Sequence, residues 1–207
     1  MHQISEFKDN SVNNGTISLG FFYNSAANAG GALYGCVFTD ASVNLVSANA
    51  GDATFAHNSI NQGKAYDAYF THSSINAGEV AEANFYLSAC NQGSVKFSGS
   101  FSDSTTNYGS AGMGVFSQSA VNFGILYDDS KFFNKSINAG IVEGDCLFVD
   151  TTINQGIIEE NANFTLSASN AGTVSGILST IELSAGTVLW DYLDLGCVWA
   201  DLTSNIF

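Results

Sequence analysis

A short repeat limits the folds open to this chain more than any other feature of its sequence. Asn-x-Gly recurs at steps of 15 or 16 residues, with one double step between Asn28 and Asn61. Within the double step, SVNLV at 42–46 is interpreted as a degenerate copy in which Val46 replaces the glycine. A period this short cannot hold a helical hairpin and is typical of one coil of a β-solenoid. We call the asparagines of this repeat the ladder asparagines, and the central ones are Asn61, Asn76, Asn91, Asn107, Asn122, Asn138 and Asn154.

A second series of residues has the same period. A phenylalanine lies six residues before each ladder asparagine, and a small residue lies two residues before each phenylalanine. Alternate residues of a strand face the same side, so both side chains are expected to point into one core. The series is Phe7, Phe22, Phe38, Phe55, Phe70, Phe85, Phe101, Phe116, Phe132, Phe148 and Phe164.

These patterns predict an all-β fold, a parallel β-solenoid (β-helix) of about 11–12 coils of 15–16 residues, roughly three-sided, over residues 1–179. Coils stack about 4.8 Å apart, which lets phenylalanine rings stack and lets asparagine amides hydrogen-bond from coil to coil. The glycine of each Asn-x-Gly is expected to supply a positive φ. Leu178 is expected in the phenylalanine position of a last, irregular coil.

The repeat ends near residue 179, and residues 180–207 form a segment of different composition. Both tryptophans of the chain lie in this segment. A solenoid needs its ends covered, so the segment is predicted to be a cap or a docking and oligomerisation segment. The candidate assembly contact consists of Trp190, Tyr192, Trp199 and Phe207.

Charge and cysteine spacing argue against several classes of partner. The formal net charge of −14 repels phosphate backbones and anionic membrane surfaces, so neither nucleic-acid binding nor membrane insertion is expected. No apolar run approaches the about 20 residues of a spanning helix. The four cysteines are far apart and lack metal-site spacing, which favours buried free thiols. No metal and no cofactor is predicted.

Two outward-facing series of polar residues are candidate metal-binding sites. Asp52, Asp67 and Glu82, followed later by Asp129 and Asp145, lie three residues before successive phenylalanines. Stacked carboxylates could hold a divalent cation, but a solvated face that keeps rods apart is the preferred interpretation. His57 and His72 occupy equivalent positions of neighbouring coils and are interpreted as stacked surface residues rather than metal ligands.

Sequence motifs of catalysis are absent from the chain. There is no GxSxG, P-loop or dinucleotide-binding fingerprint, and adjacent acids such as Glu159 and Glu160 face opposite sides of a strand. The chain is therefore predicted not to be an enzyme. Ice binding needs threonines in regular register, and the threonines of this chain are scattered.

The iterated segments SINAGEV, SINAGIV and TINQGII resemble the short Asn/Gly repeats of virion proteins of tailed bacteriophages, over residues 5 to about 178. The resemblance implies a structural component of a bacteriophage virion, such as a short fibre, a spike or a capsid or tail decoration protein. It further implies synthesis in the bacterial host cytoplasm, association with other virion proteins and a symmetric homo-oligomer, for example a trimer, with host-surface glycan as an additional partner. The alternative is a ligand-binding solenoid, either a glycan-binding adhesin or an ice-binding protein.

Overall fold

The chain forms a continuous stack of short parallel strands. The computed structural model describes residues 4–32, 34–176 and 178–181, and these residues contain no helix. No helix long and apolar enough to cross a membrane was therefore found in this part of the chain. The stack comprises about eleven coils, so the predicted all-β parallel solenoid is confirmed.

Each coil contributes three strand segments, which we name after the residue that each one turns inward. The phenylalanine strands are Ile4–Phe7, Leu19–Phe22, Val37–Phe38, Thr54–Phe55, Ala68–Phe70, Ala83–Phe85, Ser130–Phe132, Cys146–Phe148, Ala162–Phe164 and Leu178–Ile181. The asparagine strands are Val12–Asn13, Ala27–Asn28, Val43–Asn44, Ile60–Asn61, Ile75–Asn76, Cys90–Asn91, Thr106–Asn107, Val121–Asn122, Ile137–Asn138, Ile153–Asn154 and Ser169–Asn170. The aliphatic strands are Thr16–Ile17, Gly31–Ala32, Asn49–Gly51, Lys64–Tyr66, Glu79–Val80, Ile125–Leu126, Ile141–Val142, Ile157–Ile158 and Thr173–Val174.

Two longer strands, Ser94–Phe101 and Ser110–Phe116, merge the aliphatic and phenylalanine segments of their coils. The two sets of segments therefore belong to one 21-stranded sheet, whereas the asparagine strands form a separate 11-stranded sheet. Throughout the regular coils the register pairs phenylalanine with phenylalanine and asparagine with asparagine, as between Phe70 and Phe85 or Asn76 and Asn91.

The core is a column of stacked rings. The phenylalanines of the periodic series are fully buried from Phe22 to Phe148. Successive ring centroids of this series, from Phe7 to Phe164, are 4.6–4.9 Å apart with planes tilted by 3–10°. The stack thus follows the strand spacing, as the sequence predicts. Small residues such as Ala68 and Ala83 face the same interior and leave room for the rings.

The ladder asparagines form a second interior column. Each side-chain amide Nδ2 donates to Oδ1 of the asparagine in the next coil, over 2.6–2.9 Å from Asn13 to Asn170. All these bonds run in one direction along the rod. Because the amides are buried, each needs such partners, and the neighbouring coils provide them.

The expected positive φ at the glycine of Asn-x-Gly is wrong. Gly35 is the glycine with a positive φ among the described residues, and it lies outside the repeat motif. The motif glycines are required for space instead, because a Cβ added at Gly78 would overlap the carbonyl oxygen of Gly63 in the preceding coil. In the coils after the first that have the uninterrupted Asn-x-Gly motif, the corner therefore brings two backbones too close for a side chain at the glycine.

Left-handed backbone recurs at a different corner, and outside that corner Asp52 and Asp67 also have a positive φ. The residue two positions after each phenylalanine has φ between 47° and 66°, whatever its side chain. These residues are Asp9, Asn24, Asp40, His57, His72, Leu87, Asp103, Gln118, Asn134, Asp150 and Leu166. We call this column the left-handed corner.

Two register predictions need correction. Ala48, not Val46, occupies the glycine position of the degenerate coil, because Ala48 accepts from Lys64 N as Gly63 accepts from Glu79 N. Val46 lies in a two-residue insertion and is 76% exposed. Leu178 pairs with Ala162 rather than with Phe164, which pairs with Ile181. The strand Leu178–Ile181 crosses the predicted boundary between the repeat domain and the C-terminal segment at residue 179. The division of the chain at this point stays a prediction.

Candidate functional site

Interior positions hold most of the residues that the sequence singled out. Phe55, Phe70, Phe85, Phe101, Phe116 and Phe148 and the ladder asparagines from Asn61 to Asn154 all have 0% exposure. They hold the rod together and are not available to a ligand. The candidate assembly contact, Trp190, Tyr192, Trp199 and Phe207, lies outside the described residues. Candidate sites in the described part must therefore be sought on the outer surface.

The carboxylates of the outer surface are concentrated at two corners. Asp9, Asp40, Asp103 and Asp150 occupy the left-handed corner. A larger group lies between the aliphatic and phenylalanine strands and is called the acidic corner, comprising Asp52, Asp67, Glu82, Asp128, Asp129, Glu143, Asp145, Glu159 and Glu160. All members of this group are exposed.

Part of the acidic corner has a structural role. Asp129 Oδ1 accepts a hydrogen bond from Asp145 N at 3.2 Å, and Asp145 Oδ1 accepts from Asn161 N at 3.0 Å and from Asn161 Nδ2 at 2.9 Å. These carboxylates bind backbone and amide groups of the next coil. Among the described residues there is no group of three or more His, Cys, Asp or Glu side chains that could hold a metal ion.

The two histidines of the left-handed corner lie against each other. The ring centroids of His57 and His72 are 4.2 Å apart, with planes tilted by 33°, and both side chains are exposed. Thr71 Oγ1 lies 3.2 Å from His72 Nδ1. Leu87 follows in the column and supplies no ligand atom. The pair is thus a surface stack, as the sequence indicates.

Three described cysteines are free thiols. Cys36 and Cys146 face the core, whereas Cys90 is partly buried. Burial raises the pKa of the Cys36 and Cys90 thiols, and it raises the pKa of Cys146 strongly, with Asp145 and Asp129 adding to the shift. None of these three thiols is prepared for nucleophilic chemistry, because the reactive species is the thiolate.

One face of the rod is almost free of charge. It covers the asparagine sheet, from three residues before each ladder asparagine to two residues after it, and we call it the neutral face. The described acids all lie elsewhere, and Lys135 is the one charged residue on this face within the described part of the chain. Its outward side chains form three columns along the rod, one rich in hydroxyls, one aliphatic and one of mixed composition. In the coil of Asn76 these columns contain Ser73, Ile75 and Ala77, respectively.

The mixed column contains a feature that sequence reasoning missed. Tyr108 and Phe123 each follow a ladder asparagine, and their rings stack with centroids 5.3 Å apart and planes tilted by 8°. They are 59% and 52% exposed. The signal in the sequence is that two adjacent repeats have an aromatic residue directly after the ladder asparagine, whereas the next repeat has alanine there.

A groove begins where this aromatic pair ends. Its lining includes Phe123, Ala139, Gly140, Ile141, Gln155 and Ile157. Alanine at the position equivalent to Phe123 leaves the ring with one open face. The other exposed aromatics, including Tyr66, Tyr69 and Phe97, lie on different columns and form no regular array with the pair.

The threonines in the described part of the chain do not form the regular outward array that ice binding would need. Thr105 and Thr152 are buried, Thr54 and Thr71 are partly buried, and Thr16 is exposed. Thr151 is exposed on the neutral face, but its hydroxyl donates to Asn134 O at 2.9 Å. The described surface therefore offers one neutral face with an aromatic knob and a groove, and two acidic corners. In comparisons with known proteins, no family model, no curated protein and no solved structure matches this chain.

Proposed function

We propose that this chain is a structural component of a bacteriophage virion, a short fibre, a spike or a capsid or tail decoration protein. It is synthesised in the host cytoplasm and works as part of the particle, in contact with other virion proteins and with further copies of itself. In this role the chain is a rigid spacer and carries out no chemical reaction.

The observation that carries the proposal is the uninterrupted interior. Stacked rings run from Phe7 to Phe164 and bonded amides run from Asn13 to Asn170, so no coil opens to form a cleft. A core of this kind resists bending and local opening, because each interior coil is packed against the preceding coil and the following one. Mechanical stiffness is the property that an external virion component needs.

The sequence of the repeats adds support of another kind. Segments such as SINAGEV and SINAGIV resemble repeats of phage virion proteins, and the acidic surface disfavours phosphate-bearing partners. The segment 180–207 contains both tryptophans and supplies the attachment to the particle in this proposal. Tryptophan and tyrosine are enriched among residues that dominate protein interfaces.

Immunogold electron microscopy tests the proposal directly. Antibodies raised against the purified chain are applied to tailed-phage particles released from cells that encode it. We expect gold at one defined part of the particle, and labelling after particles are washed free of lysate. Recovery of the chain only in the particle-free fraction would contradict the proposal.

The attachment role of the C-terminal segment has its own test. The native mass of the full chain is compared by light scattering with that of a chain ending at Ile181, which keeps the last described strand intact. We expect a discrete oligomer that becomes smaller on truncation. Equal masses would remove the C-terminal aromatics from the assembly contact and would move attention to the outer faces of the coils.

A further inference from the structure

We infer that the neutral face is a self-association surface, on which two copies pack antiparallel with Phe123 of each copy over Ala139 of the other. The inference does not depend on the virion role, since it concerns the surface of the rod alone.

Charge restricts how two copies can meet. Each chain has a formal net charge of −14, and the described carboxylates lie at the left-handed corner, at the acidic corner and at a few scattered positions, all outside the neutral face. Contact through either corner would bring like charges together, which costs energy at an interface. The neutral face brings one Lys135 per copy and no described acid. No described carboxylate therefore lies within the contact, and in the register given below the opposed pair at its border is Asp103 with Asp150 of the left-handed corner.

Shape indicates the register of that approach. Phe123 protrudes with 52% exposure, and the neighbouring coil has Ala139 at the equivalent position, so a knob and a groove lie side by side. A twofold axis that lies in the interface and crosses the rods between the coils of Asn122 and Asn138 places each knob over the other groove. In such an isologous contact both copies use the same surface, so no free surface of this kind remains and association stops at the dimer.

The same axis pairs the remaining columns in a compatible way. Like columns face each other, so Val121 lies opposite Ile137 in the aliphatic column. Tyr108 lies opposite Gln155, and a phenol and a primary amide can exchange a hydrogen bond. Gln155 is exposed, so its side-chain amide is accessible to a second copy.

Among the described residues the overlap comprises six coils, from that of Asn91 to that of Asn170. At about 4.8 Å per coil and about 3.3 Å per residue, the shared strip is roughly 29 Å by 13 Å on each copy. This is below the about 800 Å² per partner of a standard stable interface. The dimer should therefore be weak, visible at micromolar concentrations and above.

Sedimentation equilibrium of the full chain tests the inference, over a concentration range of about 1–200 μM. We expect reversible, concentration-dependent association in addition to the oligomer formed through the C-terminal segment, and Phe123→Ala should weaken this association at least tenfold. Ala139→Gln fills the groove and should weaken dimerisation similarly, and it should fold normally because Gln62, Gln92 and Gln155 already occupy that column. Tyr69→Ala is the matched control, since Tyr69 is 49% exposed on the phenylalanine strand and should leave the equilibrium unchanged.

Salt gives an independent readout. Contact between two acidic rods through an apolar face should strengthen as salt screens the repulsion between them, whereas an ion-paired contact would weaken. A mass that does not change with concentration, or an association indifferent to Phe123→Ala and Ala139→Gln, overturns the inference. A monomeric chain that binds an immobilised glycan, with binding lost in Phe123→Ala, also overturns it and assigns the groove to a sugar. Loss of association only in a Trp190→Ser, Trp199→Ser variant would place the contact in the C-terminal segment instead.

Discussion

Space between stacked backbones is the strictest constraint on individual residues of this rod. Gly78 lies so close to the preceding coil that a Cβ would overlap the carbonyl oxygen of Gly63. Gly31, on an outward strand position, would place a Cβ 3.5 Å from the Thr16 side chain, which is an ordinary contact. Glycine is therefore required at position 78, where no Cβ fits, whereas position 31 has room for a larger residue.

Alanine substitution separates these reasons. Gly78→Ala should lower the free energy of unfolding by about 1–3 kcal/mol or more, since two coils must move apart. Gly31→Ala should be neutral or slightly stabilising, because it reduces the freedom of the unfolded chain without strain. Thermal unfolding followed by circular dichroism measures both. Equal losses in the two variants would contradict the steric explanation.

The left-handed corner contains two leucines that do not suit its backbone. Leu87 has φ of 60°, which is unfavourable for leucine, and its side chain is 44% exposed. Burial of the side chain therefore does little to offset the backbone strain. Leu87→Asn should raise stability by about 1 kcal/mol, because asparagine tolerates this region better than a branched apolar residue. Leu87→Ala is the control and should give little of that gain. A melting midpoint that is the same in Leu87→Asn and Leu87→Ala would show that strain at this corner is negligible.

The ring column makes each central phenylalanine essential. Phe85 is fully buried between Phe70 and Phe101, with ring centroids 4.8 and 4.7 Å away. Phe85→Ala should cost about 3–5 kcal/mol, the range for an emptied aromatic site. Phe97→Ala, at a site that is 63% exposed, should change the unfolding midpoint little. A silent Phe85→Ala would mean that neighbouring rings collapse into the space.

At the scale of strands and coils, one ion cluster joins neighbouring aliphatic strands. Glu79 Oε1 lies 2.9 Å from Lys96 Nζ and 3.7 Å from Lys64 Nζ, with Lys64 and Glu79 on paired strands. The hydrogen bond from Lys96 is the main reason why the pKa of Glu79 is lowered, and Lys64 adds to it. The group is exposed, so the effect on stability is small and is screened by salt.

A pH titration tests this cluster. A lowered pKa in the folded chain means that the contribution of Glu79 is present above its ordinary pKa and is lost as pH falls through the folded value. Lys96→Ala should raise the pKa of Glu79 towards its ordinary value, and Lys64→Ala should raise it less. NMR titration of the Glu79 carboxyl carbon measures both shifts. A larger effect of Lys64→Ala would show that the more distant pair dominates in solution.

Strand identity and register could be predicted from the sequence because the phenylalanine and asparagine periods fix which residues face inward. Backbone conformation at the corners could not. Leucine, histidine and glutamine give no local signal of a positive φ. In most coils the left-handed corner is closed by a turn in which the backbone N–H four residues after the phenylalanine donates to the carbonyl one residue after it, as from Ser74 N to Thr71 O. Ala48 was missed for a similar reason, because only pairing with Lys64 shows that two residues are inserted before it. The groove at Ala139 depends on stacking of adjacent coils, which single repeats do not display.

For the whole molecule, the net charge of −14 predicts how salts act on stability. Sodium chloride should raise the melting midpoint, since screening relieves repulsion among carboxylates of successive coils. Calcium chloride at matched ionic strength should add nothing further, and Asp67→Asn should leave the response unchanged, if Asp52, Asp67 and Glu82 are only solvated. Differential scanning calorimetry measures these midpoints. A calcium-specific rise that is lost in Asp67→Asn would instead establish a cation site on the acidic corner.

The one-way asparagine ladder has a consequence for how such a molecule can change over generations. Every interior asparagine donates to the coil on one side and accepts from the coil on the other, as Asn91 does between Asn76 and Asn107. Removing or duplicating one whole coil would therefore rejoin a donor to an acceptor and leave no orphan. The rod's length is in this sense a heritable dimension that can be altered in increments of about 4.8 Å by in-frame gain or loss of 15 or 16 codons.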